Sequence, residues 1–175
     1  LGLIKASQKK YDEAIELFEK AIRIDSNDAS VHYNLAKALM DSGKNESSIY
    51  HHKISIELAP KNSEAWLNYG RAESSLRHFD SALHCYRQAL ELKPNYAEVF
   101  VNMGATYKEL KCYQEAIACA DQAALLDPGL PGAWSNKANA LSELRLYKEA
   151  IADYEKAISL EPDLDWIFGD LMYLR

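Results

Sequence analysis

Residues 63–96 read SEAWLNYGRAESSLRHFDSALHCYRQALELKPNY and carry a proline, Pro94, close to their end. Moving outward from it, prolines recur at Pro60, Pro128 and Pro162, each 34 residues from the next. They close the segments SIELAP, ALELKP, AALLDP and AISLEP, and an earlier copy, AIRIDS, has Ser26 in the proline slot. A fixed period of this length is the mark of a repeat array, and it has to be read before any single motif.

With each proline at position 32 of a 34-residue unit, the units begin at Ala29, Ser63, Ala97 and Pro131. Position 8 then holds Ala36, Gly70, Gly104 and Ala138, and position 20 holds Ser48, Ala82, Ala116 and Ala150. Position 27 holds Ser55, Ala89, Ala123 and Ala157. Position 4 holds His32, Trp66, Phe100 and Trp134, and position 24 holds His52, Tyr86, Ala120 and Tyr154. This is a size code for two antiparallel helices. Small residues at 8, 20 and 27 let two axes approach, and bulky residues at 4, 7, 11 and 24 fill the space between them. The spacing predicts helix A over positions 2–14 and helix B over 17–30. The proline cannot continue helix B and turns the chain into the next unit.

The pattern resembles the tetratricopeptide repeat. The resemblance implies an all-α solenoid of antiparallel helix pairs in a right-handed superhelix, about four and a half repeats long. Residues 1–28 are a partial repeat, with Leu1 and Gly2 at positions 7 and 8 and Phe18 at position 24. Full repeats are expected at 29–62, 63–96, 97–130 and 131–164, and a capping helix or a junction to a downstream domain at 165–175. Four departures stand out. Lys137 sits at position 7, Glu73 at position 11 and Ala120 at the aromatic position 24, while the second unit combines Ser48, His52 and Ser55. Looser packing is expected around ESSIYHHKISI, and long polar stems are expected to snorkel.

Composition narrows the function. The net charge of −6 argues against nucleic acid as a partner, because phosphate binding needs a concentrated basic surface. No run of apolar residues is long enough to span a membrane, and the start of the chain, LGLIKASQKK, does not read as a signal peptide. A chain beginning at Leu1 reads as a fragment. Cys85, Cys112 and Cys119 have no framework spacing and read as reduced thiols of a cytoplasmic protein. Adjacent residues on a helix point about 100° apart, so His51 and His52 do not chelate a metal as a pair. No catalytic residue, metal or cofactor is assigned, and this segment is not itself read as an enzyme.

The expected output is binding on the concave face lined by the A helices. Asn34, Asn68, Asn102 and Asn136 all occupy position 6. An amide that both donates and accepts can pair with the C=O and N–H of an extended peptide. The flanking residues on that face are Tyr33, Lys37, Glu64, Arg71, Glu98 and Asn139, with Leu67 and Ser135 among them. Asn is a poor helix former, so four in register ask for a reason. On a second reading it is only a tolerated polar residue of a solvated face.

An asparagine ladder of this kind resembles the inner surface of the O-GlcNAc transferase repeat region. After Pro162 the chain reads DLDWIFGDLMYLR, which is similar to the junction of bacterial O-GlcNAc transferase/SPINDLY-type enzymes in Pro162, Asp163, Trp166, Gly169, Asp170 and Leu171. The resemblance implies a parent protein O-glycosyltransferase whose substrate peptides this segment selects. The alternative is a non-enzymatic adaptor or scaffold of assembly or co-chaperone type. Partners are then proteins or unstructured peptides, and the open N-terminal end invites self-association.

Overall fold

In a computed structural model that describes residues 1–162, the chain folds into helices joined by short turns. They are α1 (Gly2–Ser7), α2 (Tyr11–Ile24), α3 (Ala29–Asp41), α4 (Asn45–Leu58), α5 (Ser63–Ser75), α6 (Phe79–Leu92), α7 (Ala97–Glu109), α8 (Tyr113–Leu126), α9 (Pro131–Glu143) and α10 (Tyr147–Leu160). No strand occurs among the described residues, and the fold is all-α, a repeated antiparallel helix pair. Each A helix begins and ends one residue earlier than the spacing predicts. The capping or junction segment at 165–175 lies outside the described residues.

Two compact units divide the chain, Leu1–Pro94 and Asn95–Arg175. In the first, α1 packs on α2, α2 on α3, α3 on α4, α4 on α5 and α5 on α6. In the second, α7 packs on α8, α8 on α9 and α9 on α10, and α7 also touches α9. Within each unit, α3, α5 and α9 therefore meet their own B helix on one side and elements of the preceding pair on the other. That second contact buries positions 3 and 10 of α5 and α9, which the size code did not include: Ala65, Ala72, Ala133 and Ala140 are all inside.

The size code itself is visible atom by atom. A Cβ added to Gly70 would stand 2.5 Å from the Tyr86 ring, and one added to Gly2 would stand 2.7 Å from the Phe18 ring. Where position 24 is Ala120, the crowding eases: a Cβ on Gly104 would meet Ala116 O at 3.3 Å and Cys119 Cβ at 3.5 Å. Ser48, His52 and Ser55 are almost fully buried, so their polar groups need partners inside the protein. Ser48 donates to Asn45 C=O and Ser55 to Ala29 C=O, but both ring nitrogens of His52 lack a partner. Burial pushes the His52 imidazole down to about 3, so it is neutral.

The turn from helix A to helix B repeats as well. Lys9, Gly43, Arg77, Lys111 and Arg145, all at position 15, have φ between 57° and 82°. In the α5–α6 turn, Arg77 N–H donates to Ser74 C=O and His78 N–H to Glu73 C=O, both at 2.9 Å, the pair of bonds that ends a helix in a left-handed residue. The same two bonds recur at Gly43 and Lys44, and at Lys111 and Cys112. On the other side of the helix pair, the ring at position 4 ties the turn after helix B. Trp66 Nε1 donates to Pro60 C=O at 2.9 Å and Trp134 Nε1 to Pro128 C=O at 3.0 Å. His32 Nε2 takes the same place, 3.1 Å from Ser26 C=O.

The polar intruders are handled in two ways. Lys137 does snorkel, reaching Asp121 at 2.8 Å and Asp153 at 3.8 Å. The short bond to Asp121 holds its ammonium above the usual value, while burial raises Asp153 despite Lys137 nearby. Glu73 does not snorkel. It is buried and meets His78 Nδ1 at 2.8 Å. Burial and a hydrogen bond to Glu73 together push the Tyr69 hydroxyl far up. Burial likewise pushes the free thiols of Cys85 and Cys119 up to about 12 and about 11, which favours the neutral thiol over the thiolate.

Candidate functional site

The position-6 asparagines sit midway along α3, α5, α7 and α9, and their surroundings differ. In the first unit, Asn34 is half-buried and donates through Nδ2 to Ser30 C=O, four residues back on its own helix, at 2.7 Å. Asn68 is buried instead, only 3% exposed. Its Nδ2 donates to Tyr33 Oη at 2.9 Å, and its Oδ1 accepts from an Arg71 guanidinium N–H at 3.2 Å. Tyr33 Oη in turn donates to Glu64 Oε1 at 2.6 Å. Four predicted face residues thus join into one hydrogen-bonded chain between α3 and α5.

The second unit repeats the contrast. Asn102 donates to Glu98 C=O on its own helix at 2.7 Å, and Asn136 donates back to Val101 C=O on α7 at 3.0 Å. In each unit, then, the upstream asparagine serves its own helix and the downstream one ties two A helices together. Among the described residues, no donor reaches Oδ1 of Asn34, Asn102 or Asn136. Each of these three also keeps one of its two amide hydrogens.

Asn68 differs from the other three, because its Oδ1 and one Nδ2 hydrogen are both engaged within the protein. Leu67 and Ser135, expected on the same face, are buried. Position 5 is not uniform: Leu67 and Ser135 are buried, while Tyr33 and Val101 are half-buried. Lys37, Arg71, Glu64 and Glu98 are exposed as expected. Asn139 is half-buried and accepts from Tyr154 Oη at 2.6 Å, so it supports a core tyrosine. A tyrosine at position 5 facing the next Asn, and an Asn at position 9 beside a tyrosine at position 24, are the signals that would have found these pairs.

A further cluster escaped the repeat pattern. His32 Nδ1 and His51 Nδ1, from α3 and α4, lie 3.0 Å apart. Among the described residues no helix is long and apolar enough to cross a membrane.

Comparison with known proteins places this geometry. A family model described as TPR repeat matches residues 2–43 and 78–111, and tetratricopeptide-repeat models match residues 97–130 and 131–164. The TPR domain of Arabidopsis OM64 is 31% identical, with 65% of this chain and 93% of that one covered and a TM-score of 0.63. The crystal structure of MamA superposes with a TM-score of 0.82 at 24% identity, over 93% of this chain and 95% of that one. YrrB, a TPR protein with an unusual peptide-binding site, gives 0.76 at 19% identity over 97% and 87%. Among curated proteins, the human protein O-mannosyl-transferase TMTC1 is 37% identical over 54 residues, 31% of this chain. The match spans only 6% of the length of that human relative, and of the mouse protein likewise. The matched repeats and the helix pairs agree: the chain belongs to the tetratricopeptide-repeat family.

Proposed function

We propose that the chain is a peptide-recognition module of a protein O-glycosyltransferase, and that it holds acceptor segments against the exposed faces of its A helices. The observation that carries the reading is at Asn34, Asn102 and Asn136, where the carbonyl oxygen accepts from no donor among the described residues and one amide hydrogen is spare. Such a group pairs with peptide backbone without regard to side-chain identity, each bond contributing about 0.5–1.5 kcal/mol. Recognition of this kind suits an enzyme that must accept many sequences. The similarity to an O-mannosyl-transferase over 54 residues supports a glycosyltransferase parent. The short C-terminal resemblance to O-GlcNAc transferase-type enzymes points to the same reaction class with a different sugar. The peptide-binding site named for YrrB supports the ligand class.

Fluorescence anisotropy with unstructured Ser/Thr-containing peptides tests the reading. Binding is expected to survive amidation of the peptide C-terminus. Asn34→Ala or Asn102→Ala is expected to weaken it about 2- to 10-fold with the melting temperature unchanged. Loss of binding on amidation would instead support an adaptor that clamps a C-terminal carboxylate. Unchanged affinity in both variants would remove the asparagines from the site.

A further inference from the structure

We propose that His32 and His51 form a binding site for a divalent late first-row transition ion such as Ni²⁺, Cu²⁺ or Zn²⁺, between α3 and α4. Their Nδ1 atoms lie 3.0 Å apart, with ring centroids at 5.2 Å and planes tilted by 32°. Two nitrogens that each stand about 2.0–2.1 Å from one ion are about 2.9 Å apart at a right angle and about 3.4 Å at the tetrahedral angle. The observed separation matches adjacent ligands of a single ion.

The tautomer of His32 is fixed by its other nitrogen. Nε2 lies 3.1 Å from Ser26 C=O, which can only accept, so Nε2 carries the hydrogen. The tryptophan Nε1–H groups of Trp66 and Trp134 make the equivalent bond in their own repeats. The Nδ1 lone pair of His32 is therefore aimed at His51. A histidine whose second nitrogen donates to a backbone carbonyl is the arrangement that orients metal ligands. His32 is buried and His51 is half-exposed, so the pair is reached from solvent at His51.

Among the described residues no third His, Cys, Asp or Glu completes the set, so water fills the remaining positions. His52 takes no part, because its ring is buried and stacked on Tyr69. Without metal, His51 Nδ1–H donates to His32 Nδ1. On binding, that hydrogen passes to His51 Nε2, with no net proton released.

The test is calorimetric titration of the tag-free chain with NiCl₂, CuCl₂ or ZnCl₂ at neutral pH. One ion per chain is expected. His51→Phe should weaken binding at least about 10-fold, and His84→Phe, at an exposed histidine, should leave it unchanged. Ring ¹⁵N spectra of the wild-type chain provide a check without substitution, with shifts expected at Nδ1 of His32 and His51. Binding that survives His51→Phe, an absence of binding heat, or unmoved ring signals would each overturn the site.

Discussion

The α3–α4 and α9–α10 pairs face the same packing problem and answer it with different chemistry. In α10, positions 20, 24 and 27 are Ala150, Tyr154 and Ala157. In α4 they are Ser48, His52 and Ser55, and all six residues are almost wholly buried. Shape is conserved between the two pairs, while polarity is not. Tyr154 places its hydroxyl on Asn139 Oδ1 and leaves no unmet bond. His52 fills the same slot with two nitrogens that bond to nothing. The comparison teaches that the repeat is selected first by volume. A polar residue of the right size is admitted, and its cost is an unpaired donor or acceptor rather than a void.

Substitutions that break the volume match should have the largest effects. Tyr154→Ala removes the ring of the α9–α10 core and leaves Asn139 without its donor. A loss of about 3–5 kcal/mol is expected in urea denaturation. Gly70→Ala drives a Cβ into the Tyr86 ring and should cost about 1–3 kcal/mol. Gly104→Ala, opposite Ala120, should be close to neutral, because relief of the glycine's helix penalty offsets the tight contact with Ala116 O. Equal losses at the two glycines would contradict the size code.

Changing polarity at constant volume should act in the opposite direction. His52→Phe removes two unpaired buried nitrogens and should raise stability by about 1–3 kcal/mol in thermal denaturation. The same residue has a pH signature. Its folded value is held down at about 3 against an ordinary value of 6.5, so the unfolded chain takes up a proton that the folded chain refuses. Stability from this group is full above about pH 6.5 and is lost as pH falls toward 3. The stability difference between His52→Phe and the wild type should therefore widen over that range. A constant difference would show that His52 protonates in the folded state. The smallest effect belongs to Ser48→Ala, a gain of a few tenths of a kcal/mol from helix propensity, read by the same melts.

The repeat, the helix pairs and the buried small positions were legible because they follow a period that residue spacing exposes. The residues that depend on a neighbouring repeat were not. Asn68 looks like Asn34 in sequence, and only Tyr33, 35 residues upstream, makes it a buried bridge. Position 15 was silent for a related reason. Gly43 signals a left-handed turn, but Lys9, Arg77, Lys111 and Arg145 adopt the same φ. The two bonds that close each helix outweigh their strain. His32 hid in a slot where its repeats carry Trp66, Phe100 and Trp134, so its pairing with His51 left no periodic trace.

The central claim is that the A helices carry the peptide face. Backbone amide spectra of the chain titrated with an unstructured peptide test it most directly. Shifts are expected on exposed positions of α3, α5, α7 and α9, including the side-chain amides of Asn34 and Asn102, with Asn68 moving little. Shifts confined to α4, α6, α8 and α10, or no saturable shift at all, would contradict it.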